Sequence, residues 1–134
     1  MSKDPKSLLK IAVVDDADFS RKTVVEILEK NDFEVVGQAG NAEDAIGMIS
    51  STKANLFLID VVMPNISGME LAKKLSEVSN RPITIIMMSS LDLENIIIES
   101  ISNGAIDFIA KPFDADTLIK SVTKVANDML KETL

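Results

Sequence analysis

Polar side chains capable of chemistry stand at the ends of four apolar runs in this 134-residue chain. The acidic pair Asp15–Asp16 follows the first run, Asp60 follows the second, and the third and fourth are followed by Ser89 and Lys111. If the four runs are parallel strands, these side chains meet at one edge of the sheet, where ligands bind in open α/β folds. Asp60 alone is equally consistent with a turn, because Asp is common at turns. The other three run ends favour a site.

These residue types in combination indicate phosphoryl transfer. The carboxylates of Asp15, Asp16 and Asp60 would repel one another, which calls for a divalent cation with oxygen ligands. An ammonium and a hydroxyl, from Lys111 and Ser89, are suited to hold an incoming phosphoryl oxygen. A cation, a carboxylate nucleophile and an ammonium group together make a phosphoryl-transfer site. The alternative for each residue is a solvated charge or a strand-end hydroxyl, and the joint arrangement disfavours it.

The elements that would position these residues alternate between strand and helix. Apolar runs predict five strands, at residues 11–14, 34–39, 56–59, 83–88 and 108–110, with the second at a sheet edge. Helical spacing predicts five helices, at residues 17–30, 42–49, 69–78, 93–103 and 114–131. Right-handed crossovers then give a parallel sheet with helices on both faces, an α/β fold. We expect one domain, residues 9–134, after a flexible tail at residues 1–8.

Apolar stripes predict which face of each helix is buried. The stripe of the first helix leaves out Phe19 and Val25 and consists of Ala17, Ser20, Val24, Ile27 and Leu28. The stripe of the third helix includes Val78, and Gly68 allows the turn that starts that helix. In the fourth helix, Ile96 falls outside a stripe made of Leu93, Ile97, Ile98 and Ile101. Phe19 and Ile96, being off these stripes, are candidate docking residues for partner proteins.

Composition excludes several classes of function. The net charge of −7 and the pI near 4.5 disfavour nucleic acid and anionic membranes as partners. With no Cys the chain has no disulfide or zinc–thiolate site, and with no His any phosphohistidine must come from a partner. No apolar run approaches the ~18 residues of a membrane span, and Met1–Ser7 has no signal-peptide core. We therefore expect a cytoplasmic protein.

Five separated elements of the chain occur in an order and spacing that is typical of one family. The residues concerned are Asp15, Asp16, Asp60, Met63, Pro64, Gly68, Ser89, Lys111 and Pro112. Together they resemble the signature of bacterial response-regulator receiver domains, and the resemblance covers roughly residues 10–130. It implies a flavodoxin-like, doubly wound sheet in strand order 2-1-3-4-5, in which the first and third strands are neighbours.

The resemblance also implies a role for each residue of the candidate site. Asp60 would be the phosphoacceptor, and Lys111 would neutralise the charge of the phosphoryl group. Ser89 would donate a hydrogen bond to the new phosphate and, with Phe108, would form the switch. The implied cofactor is Mg²⁺, which prefers octahedral oxygen coordination. Its implied ligands are Asp15 (mainly through a bound water), Asp16, Asp60 and the backbone carbonyl of Val62.

Three functions are compatible with these residues. The first is a stand-alone two-component response regulator, phosphorylated on Asp60 by a sensor histidine kinase or phosphotransfer protein. It would switch the binding of a downstream protein and catalyse only its own phosphorylation and dephosphorylation. The second is the detached receiver domain of a chemotaxis methylesterase, which residues 86–90 and 104–112 resemble. The third, a small Mg²⁺-dependent phosphatase with an Asp nucleophile, is disfavoured because Val62 replaces the acid that such enzymes place two residues after the nucleophile.

Two departures from the family pattern bear on the lifetime of the phosphoryl group. Val62 lies two residues after Asp60, and Leu91 lies two residues after Ser89. Both positions flank the route of the hydrolytic water in receiver domains. Apolar side chains at both positions cannot orient that water, so we expect the phosphorylated form to persist.

Overall fold

The computed structural model describes residues 4–91 and 94–132, in which strands and helices alternate along the chain. The strands are β1 (Lys10–Val14), β2 (Glu34–Ala39), β3 (Leu56–Asp60), β4 (Thr84–Ser89) and β5 (Asp107–Ala110). All neighbouring strands are parallel, in the order β2-β1-β3-β4-β5. The predicted fold, a doubly wound five-stranded parallel sheet in flavodoxin-like order 2-1-3-4-5, is confirmed.

Among the described residues, five α-helices cover the two faces of this sheet. They are α1 (Asp18–Lys30), α2 (Ala42–Ser51), α3 (Gly68–Val78), α4 (Glu94–Ser102) and α5 (Ala115–Glu132). α1 and α5 contribute to one buried cluster, and α2 and α3 contribute to the other. The central strands are apolar because both faces of a parallel sheet are buried. In the part of the chain that the structure describes, no helix has the length and apolar character needed to cross a membrane.

β3 lies at the centre of the sheet and is buried along its whole length. Its register pairs Ile59 with Val14 of β1, and Asp60 with Met88 of β4. Asp15 comes directly after Val14, so the ends of β1 and β3 bring Asp15 and Asp60 to the same level of the sheet. Burial of these strands between two helical layers therefore determines where the two carboxylates emerge.

Part of the N-terminal segment forms regular structure and contacts the rest of the chain. Residues Pro5–Leu8 form a short 3-10 helix, whose N-cap Asp4 accepts a hydrogen bond from the Lys6 amide at 3.0 Å. The Lys6 ammonium donates to the Asn31 carbonyl at 2.7 Å and lies 5.0 Å from the centre of the Phe33 ring. The flexibility expected for residues 1–8 stays a prediction, and residues 1–3 lie outside the described part of the chain.

The buried face of α1 differs from the predicted stripe at two residues, and that of α3 at one. Ala17, which the stripe of α1 includes, is exposed, because the helix begins only at Asp18. Val25 is only 7% exposed, although it lies off the stripe of α1. α1 packs against β2 as well as β1, which widens its buried face. Val78 was predicted to face the core but is 52% exposed, because α3 ends at this residue.

Helix α4 turns a different face to the core than its spacing predicts. Ile98 and Ile101 are 58% and 46% exposed, whereas Ile96 packs against the core. Ser100 is fully buried, and its hydroxyl donates to the Ile96 carbonyl at 2.8 Å, so its polar group is satisfied within the helix. Because isoleucines lie on several sides of this helix, hydrophobic spacing alone could not select the buried face. Leu93, also on the predicted stripe, lies outside the described residues.

Candidate functional site

Asp15 and Asp60 follow or end adjacent strands, and both are buried. Asp15 is fully buried and Asp60 is 8% exposed. Each carboxylate accepts a hydrogen bond from a backbone amide two residues later, Asp15 from Ala17 at 2.9 Å and Asp60 from Val62 at 2.9 Å. Such local bonds fold the start of a loop around its own carboxylate. The backbone amide thus holds Oδ1 of each side chain, which leaves Oδ2 for a contact with the neighbouring strand ends.

The Lys111 ammonium joins the two carboxylates. Its Nζ lies 2.7 Å from Asp60 Oδ2, 2.9 Å from Asp15 Oδ2 and 3.0 Å from Ser20 Oγ. An ammonium group has three N–H donors, so each of them has an acceptor here. Lys111 directly follows β5, and its amide donates to the Ser89 carbonyl at 2.8 Å, which anchors the lysine beside β4. The strand ends thus bring the nucleophile candidate, a second carboxylate and the cation into direct contact.

Burial and these contacts shift the pKa values of all three charged groups. Burial raises the pKa of Asp60 above its ordinary value, and hydrogen bonds from Lys111 and a backbone amide oppose the rise only in part. Burial acts in the same direction on Asp15, but hydrogen bonds from Ser20, a backbone amide and Lys111 outweigh it and lower the pKa of Asp15. Burial acts to lower the pKa of Lys111, yet the two carboxylates raise it overall. Asp60 is therefore the less stabilised of the two anions.

Oxygen ligands suitable for magnesium are present, although they are not gathered around one point. No three acidic side chains in residues 4–91 and 94–132 are grouped so as to hold a metal ion. Lys111 bridges Asp15 and Asp60 instead. Asp16 is exposed, and neither its carboxylate nor the Val62 carbonyl takes part in a hydrogen bond within the described part of the chain. Carboxylate and carbonyl oxygens fit Mg²⁺, so the predicted ligand set is chemically suitable if a carboxylate turns away from the lysine.

Ser89 and Phe108, the predicted switch residues, make no hydrogen bond to the two carboxylates. Ser89 is fully buried, and its hydroxyl oxygen accepts from the Leu91 amide at 2.9 Å. Among the described residues, no acceptor takes the proton of this hydroxyl. Phe108 is half-buried against the cluster beneath α2 and α3, and it pairs with Met87 across β4 and β5. Their role as a switch stays a prediction.

Two residues of α1 belong to the site although their spacing did not single them out. Ser20 contacts Lys111, and Arg21 donates from Nη1 to the Asp15 carbonyl at 2.5 Å. Arg21 Nη2 also pairs with Asp18 at 2.7 Å, and Arg21 Nε is buried without a partner in the described part of the chain. The available signal was a hydroxyl in the otherwise apolar stripe of α1, which indicates a polar contact at the sheet edge.

Gly68 supports the site through its lack of a side chain. A Cβ built at this position would collide with the Asp60 carbonyl and crowd the backbone of Val61. The Gly68 amide also donates to the Val61 carbonyl at 2.8 Å. The sequence suggested a turn at Gly68, but its φ is not among the positive values of the described chain. Close approach of α3 to the end of β3 is the reason for a glycine here.

Phe19 is 85% exposed and lies beside the site. Phe19 lines an apolar groove between α1 and the segment after β5, and Lys111 lies at the wall of this groove. We call it the α1 groove and define it by Phe19, Val24, Ile27, Pro112 and Phe113. Ile96 is partly buried against the core, and its role as a docking residue stays a prediction.

Comparisons with known proteins agree with this geometry. Residues 11–123 match the family model of the response regulator receiver domain. The chain is similar to the chemotaxis protein CheY of Bacillus subtilis, with 36% identity over 118 residues, 88% of this chain and 98% of that protein. It is also similar to a protein-glutamate methylesterase/protein-glutamine glutaminase of Pseudoalteromonas atlantica, with 38% identity over 108 residues, 78% of this chain and 28% of that protein.

Solved structures show the same relationship. A CheY-like response regulator receiver domain protein of Methanospirillum hungatei superposes with a TM-score of 0.83 at 28% identity, over 92% of this chain and 98% of that one. The family match covers most of the chain, and the strand order and strand-end residues are those that the family resemblance implied. The chain therefore belongs to the response regulator receiver domain family.

Proposed function

We propose that this protein is a chemotaxis-type response regulator that accepts a phosphoryl group on Asp60 from a sensor histidine kinase or phosphotransfer protein. The observation that carries the proposal is the contact between Asp60 Oδ2 and the Lys111 ammonium, 2.7 Å apart at the end of the central strand. A carboxylate at this position can act as a nucleophile, and the ammonium can stabilise the negative charge on the phosphoryl oxygens. The change in charge at Asp60 would then alter partner binding.

The chemical step replaces the bond between phosphorus and the donor, to oxygen in acetyl phosphate or to nitrogen in phosphohistidine, by a phosphorus–oxygen bond to Asp60. A carboxylate oxygen of Asp60 forms a bond to phosphorus, and the bond between phosphorus and its donor breaks. The electron pair of that bond leaves with the donor, as acetate from acetyl phosphate or as an imidazole that takes up a proton from phosphohistidine. The Asp60 side chain loses its own negative charge and gains that of the phosphoryl group. Lys111, whose pKa is raised by its carboxylate partners, stays cationic throughout.

Magnesium would assist this step. A bound Mg²⁺ supplies positive charge next to the phosphoryl oxygens and lowers the repulsion between donor and carboxylates. The Asp16 carboxylate and the Val62 carbonyl are the unused oxygens next to the site, and Asp15 and Asp60 offer two more. We expect labelling to require Mg²⁺ because Lys111 alone cannot neutralise two carboxylates and a dianionic phosphoryl group.

The output of phosphorylation would run through Ser89 and Phe108. Ser89 keeps a hydroxyl proton that no acceptor takes in the described residues, so the proton is available to a phosphoryl oxygen. Such a bond would pull Ser89 toward the phosphoryl group and move the segment after β4. This segment connects β4 to α4. Exposed isoleucines on and after α4, namely Ile98, Ile101 and Ile106, give this side an apolar surface for a partner. Phe108, next to β4 in the sheet, is partly buried and packs against the core.

The α1 groove is the proposed docking place for the phosphodonor protein. It joins the exposed ring of Phe19 to the wall formed by Lys111 and Pro112. A histidine that transfers its phosphoryl group to Asp60 must approach over this edge of the sheet. Exposed aromatic residues are common anchors of protein interfaces, so Phe19 would contribute to the affinity of this encounter and leave the chemistry to the strand ends.

The proposal is tested by chemical phosphorylation. Acetyl phosphate with Mg²⁺ should add one phosphoryl group to the wild-type protein, and Asp60→Asn should take none. Intact mass or a phosphate-affinity gel can follow the reaction, since the chain has no Trp or Tyr to report it. Asp116→Asn is a matched control, because Asp116 is an exposed aspartate away from the Lys111 contacts. Equal labelling of Asp60→Asn and the wild type would refute the assignment.

A second candidate is the receiver domain of a chemotaxis methylesterase. It is favoured by the 38% identity to such a protein, of which this chain covers 28%. The phosphoacceptor chemistry would be the same, and only the output would differ, because the receiver would then control a covalently linked esterase. The deciding observation is whether the coding region continues past Leu134 into an esterase domain.

A further inference from the structure

Ser20 is a partner of Lys111 that the residues of the proposed reaction do not include. We propose that Ser20 is a positioning residue of the phosphoryl-acceptor site, whose hydroxyl holds the Lys111 ammonium in place while charge moves from Asp60 onto the phosphoryl group. Ser20 lies in α1, and its Oγ is 3.0 Å from Lys111 Nζ. The inference deepens the proposed function and rests on it for the catalytic half of its test.

The argument starts from what happens to each partner of the ammonium. Lys111 Nζ is held by Asp60, Asp15 and Ser20 among the described residues. Asp60 loses its carboxylate charge when it becomes an acyl phosphate, so this contact must be remade to a phosphoryl oxygen. Asp15 is a proposed ligand of Mg²⁺, and a metal ion would compete with the ammonium for its oxygens. Ser20 is neutral, and its oxygen accepts from Lys111 while its hydroxyl also bonds to Asp15. Its bond to Lys111 requires no carboxylate charge, so this contact can persist when Asp60 is phosphorylated and when Asp15 turns to the metal.

Hydrogen bonds of the neighbouring residue Arg21 hold Ser20 in position. The Arg21 amide donates to the Ala17 carbonyl at 2.9 Å, which starts the helical bonding of α1. The Arg21 side chain then ties this turn to the end of β1 through the Asp15 carbonyl and to Asp18 through an ion pair at 2.7 Å. Ser20 is only partly exposed and sits inside this arrangement. These contacts fasten the first turn of α1, which carries Ser20, to the end of β1 next to Asp15.

The first experiment measures catalysis with acetyl phosphate as donor, which needs no protein interface. We expect Ser20→Ala to lower the maximal labelling rate about tenfold or more, the loss of one hydrogen bond to a charged group. Ser20→Thr, which keeps the hydroxyl, should recover most of the rate. Thr23→Ala, a matched control on the same helix whose hydroxyl donates to the Phe19 carbonyl at 2.9 Å, should behave as wild type.

The second experiment does not depend on phosphorylation. In urea unfolding, Ser20→Ala should lower the midpoint more in the wild-type background than in a Lys111→Met background, where the Lys111 bond is already missing and only the bond to Asp15 remains. Equal shifts in both backgrounds would show that Ser20 acts through contacts other than Lys111 and would overturn the inference. So would a labelling rate that is unchanged in Ser20→Ala, or that falls equally in Ser20→Ala and Ser20→Thr. If the wild type takes no label at all, the proposed function fails, and the urea comparison still decides whether Ser20 holds Lys111.

Discussion

At the residue scale, burial of Asp60 at the candidate site makes its ionised form unfavourable for the stability of the fold. Its folded-state pKa is raised by burial above the ordinary value of 3.8. The protonated form therefore stabilises the fold below this ordinary value, and that contribution is lost as the pH rises through the window up to the raised pKa. Above that window, ionised Asp60 makes the folded protein less stable than a neutral isostere would.

This cost predicts the pH dependence of Asp60→Asn. At pH 7 the variant should unfold at a higher urea concentration than the wild type, because the amide carries no charge to desolvate. The difference should shrink as the pH falls toward 3.8, where the carboxyl group becomes neutral in both folded and unfolded chains. Urea midpoints measured over this pH range check the prediction. A variant that is less stable at pH 7, with a gap independent of pH, would contradict it.

Val62 and Leu91 determine a second residue-scale property, the lifetime of the phosphoryl group. Their side chains are 53% and 45% exposed and carry no polar atom. Neither can hold a water molecule in line with the phosphorus atom. We expect the phosphorylated protein, freed of acetyl phosphate, to lose its label over minutes or longer, and Val62→Asn to shorten this lifetime several-fold.

The matched control for this lifetime is Val78→Asn. Val78 is a valine of nearly equal exposure, 52%, at the end of α3. Its substitution should leave the lifetime unchanged, as measured by intact mass over time. Loss of the wild-type label within seconds in the absence of a phosphatase would show that apolar side chains at these two positions do not slow hydrolysis.

The residues of the site differ in how far the sequence predicted them. Asp15, Asp60 and Lys111 were predictable, because a strand end needs only the apolar run before it and the parallel direction of the sheet. Ser20 and Arg21 were not, because their contacts depend on how α1 is seated against the end of β1. Ser20 lay on a predicted buried stripe, yet a stripe does not say which group a hydroxyl meets.

At the element scale, the start of α3 is packed directly against the end of β3. Gly68 makes this approach possible, since a Cβ there would collide with the Asp60 carbonyl. Gly68→Ala should therefore lower the melting temperature and slow the labelling of Asp60, because either the helix or the strand end must shift.

Gly47 offers the matched control for that substitution. It lies within α2, and a Cβ added there would meet nothing within 4 Å. Gly47→Ala should raise the free energy of unfolding by about 0.5–1 kcal/mol, because alanine loses less backbone entropy in a helix. Its labelling rate should match that of the wild type. If both alanine variants are equally stable and equally reactive, the close approach of α3 to β3 does not constrain the site.

Helix α1 carries the proposed docking contact. Phe19 is exposed in the α1 groove, next to the strand ends but without a hydrogen bond to them. Phe19→Ala should slow phosphotransfer from the partner kinase, consistent with the ~2 kcal/mol or more that interface aromatics contribute. Labelling by acetyl phosphate should remain nearly intact, since this small donor needs no protein interface.

Comparison of the two donors separates docking from chemistry. Val78→Ala is a suitable control, because Val78 is an exposed apolar residue at the end of α3 that belongs to no proposed binding surface. It should leave both rates unchanged. If both rates fall in Phe19→Ala, or neither does, Phe19 is not a docking residue.

Helix α4 shows where hydrophobic spacing fails as a guide. Its isoleucines suggested that Ile98 and Ile101 face the core, but these residues are exposed and Ser100 is buried. A serine can occupy a core position when its hydroxyl bonds to a carbonyl of its own helix, which no apolar pattern reveals. By contrast, the apolar residues of α5 lie along a single stripe, and Leu118, Val122 and Ala126 on it are fully buried.

At the scale of the whole molecule, the strand order brings the ends of four strands that are far apart in the sequence to one edge of the sheet. The alternation of strands and helices predicted a parallel sheet, but the order 2-1-3-4-5 came from the family resemblance, because alternation alone allows other orders. In the observed order β1 and β3 are neighbours, with β4 and β5 on the side of β3 away from β1. This order brings Asp15 and Asp60 together and lets the long Lys111 side chain reach both.

The position of the phosphoryl group tests the central proposal most directly. Protein treated with acetyl phosphate and Mg²⁺ can be reduced with borohydride, which converts an aspartyl phosphate into homoserine, and then digested for mass spectrometry. We predict homoserine at position 60 of the wild type and at no carboxylate of Asp60→Asn. Homoserine at Asp15 or Asp16, with Asp60 unmodified, would contradict the assignment of Asp60 as the phosphoacceptor.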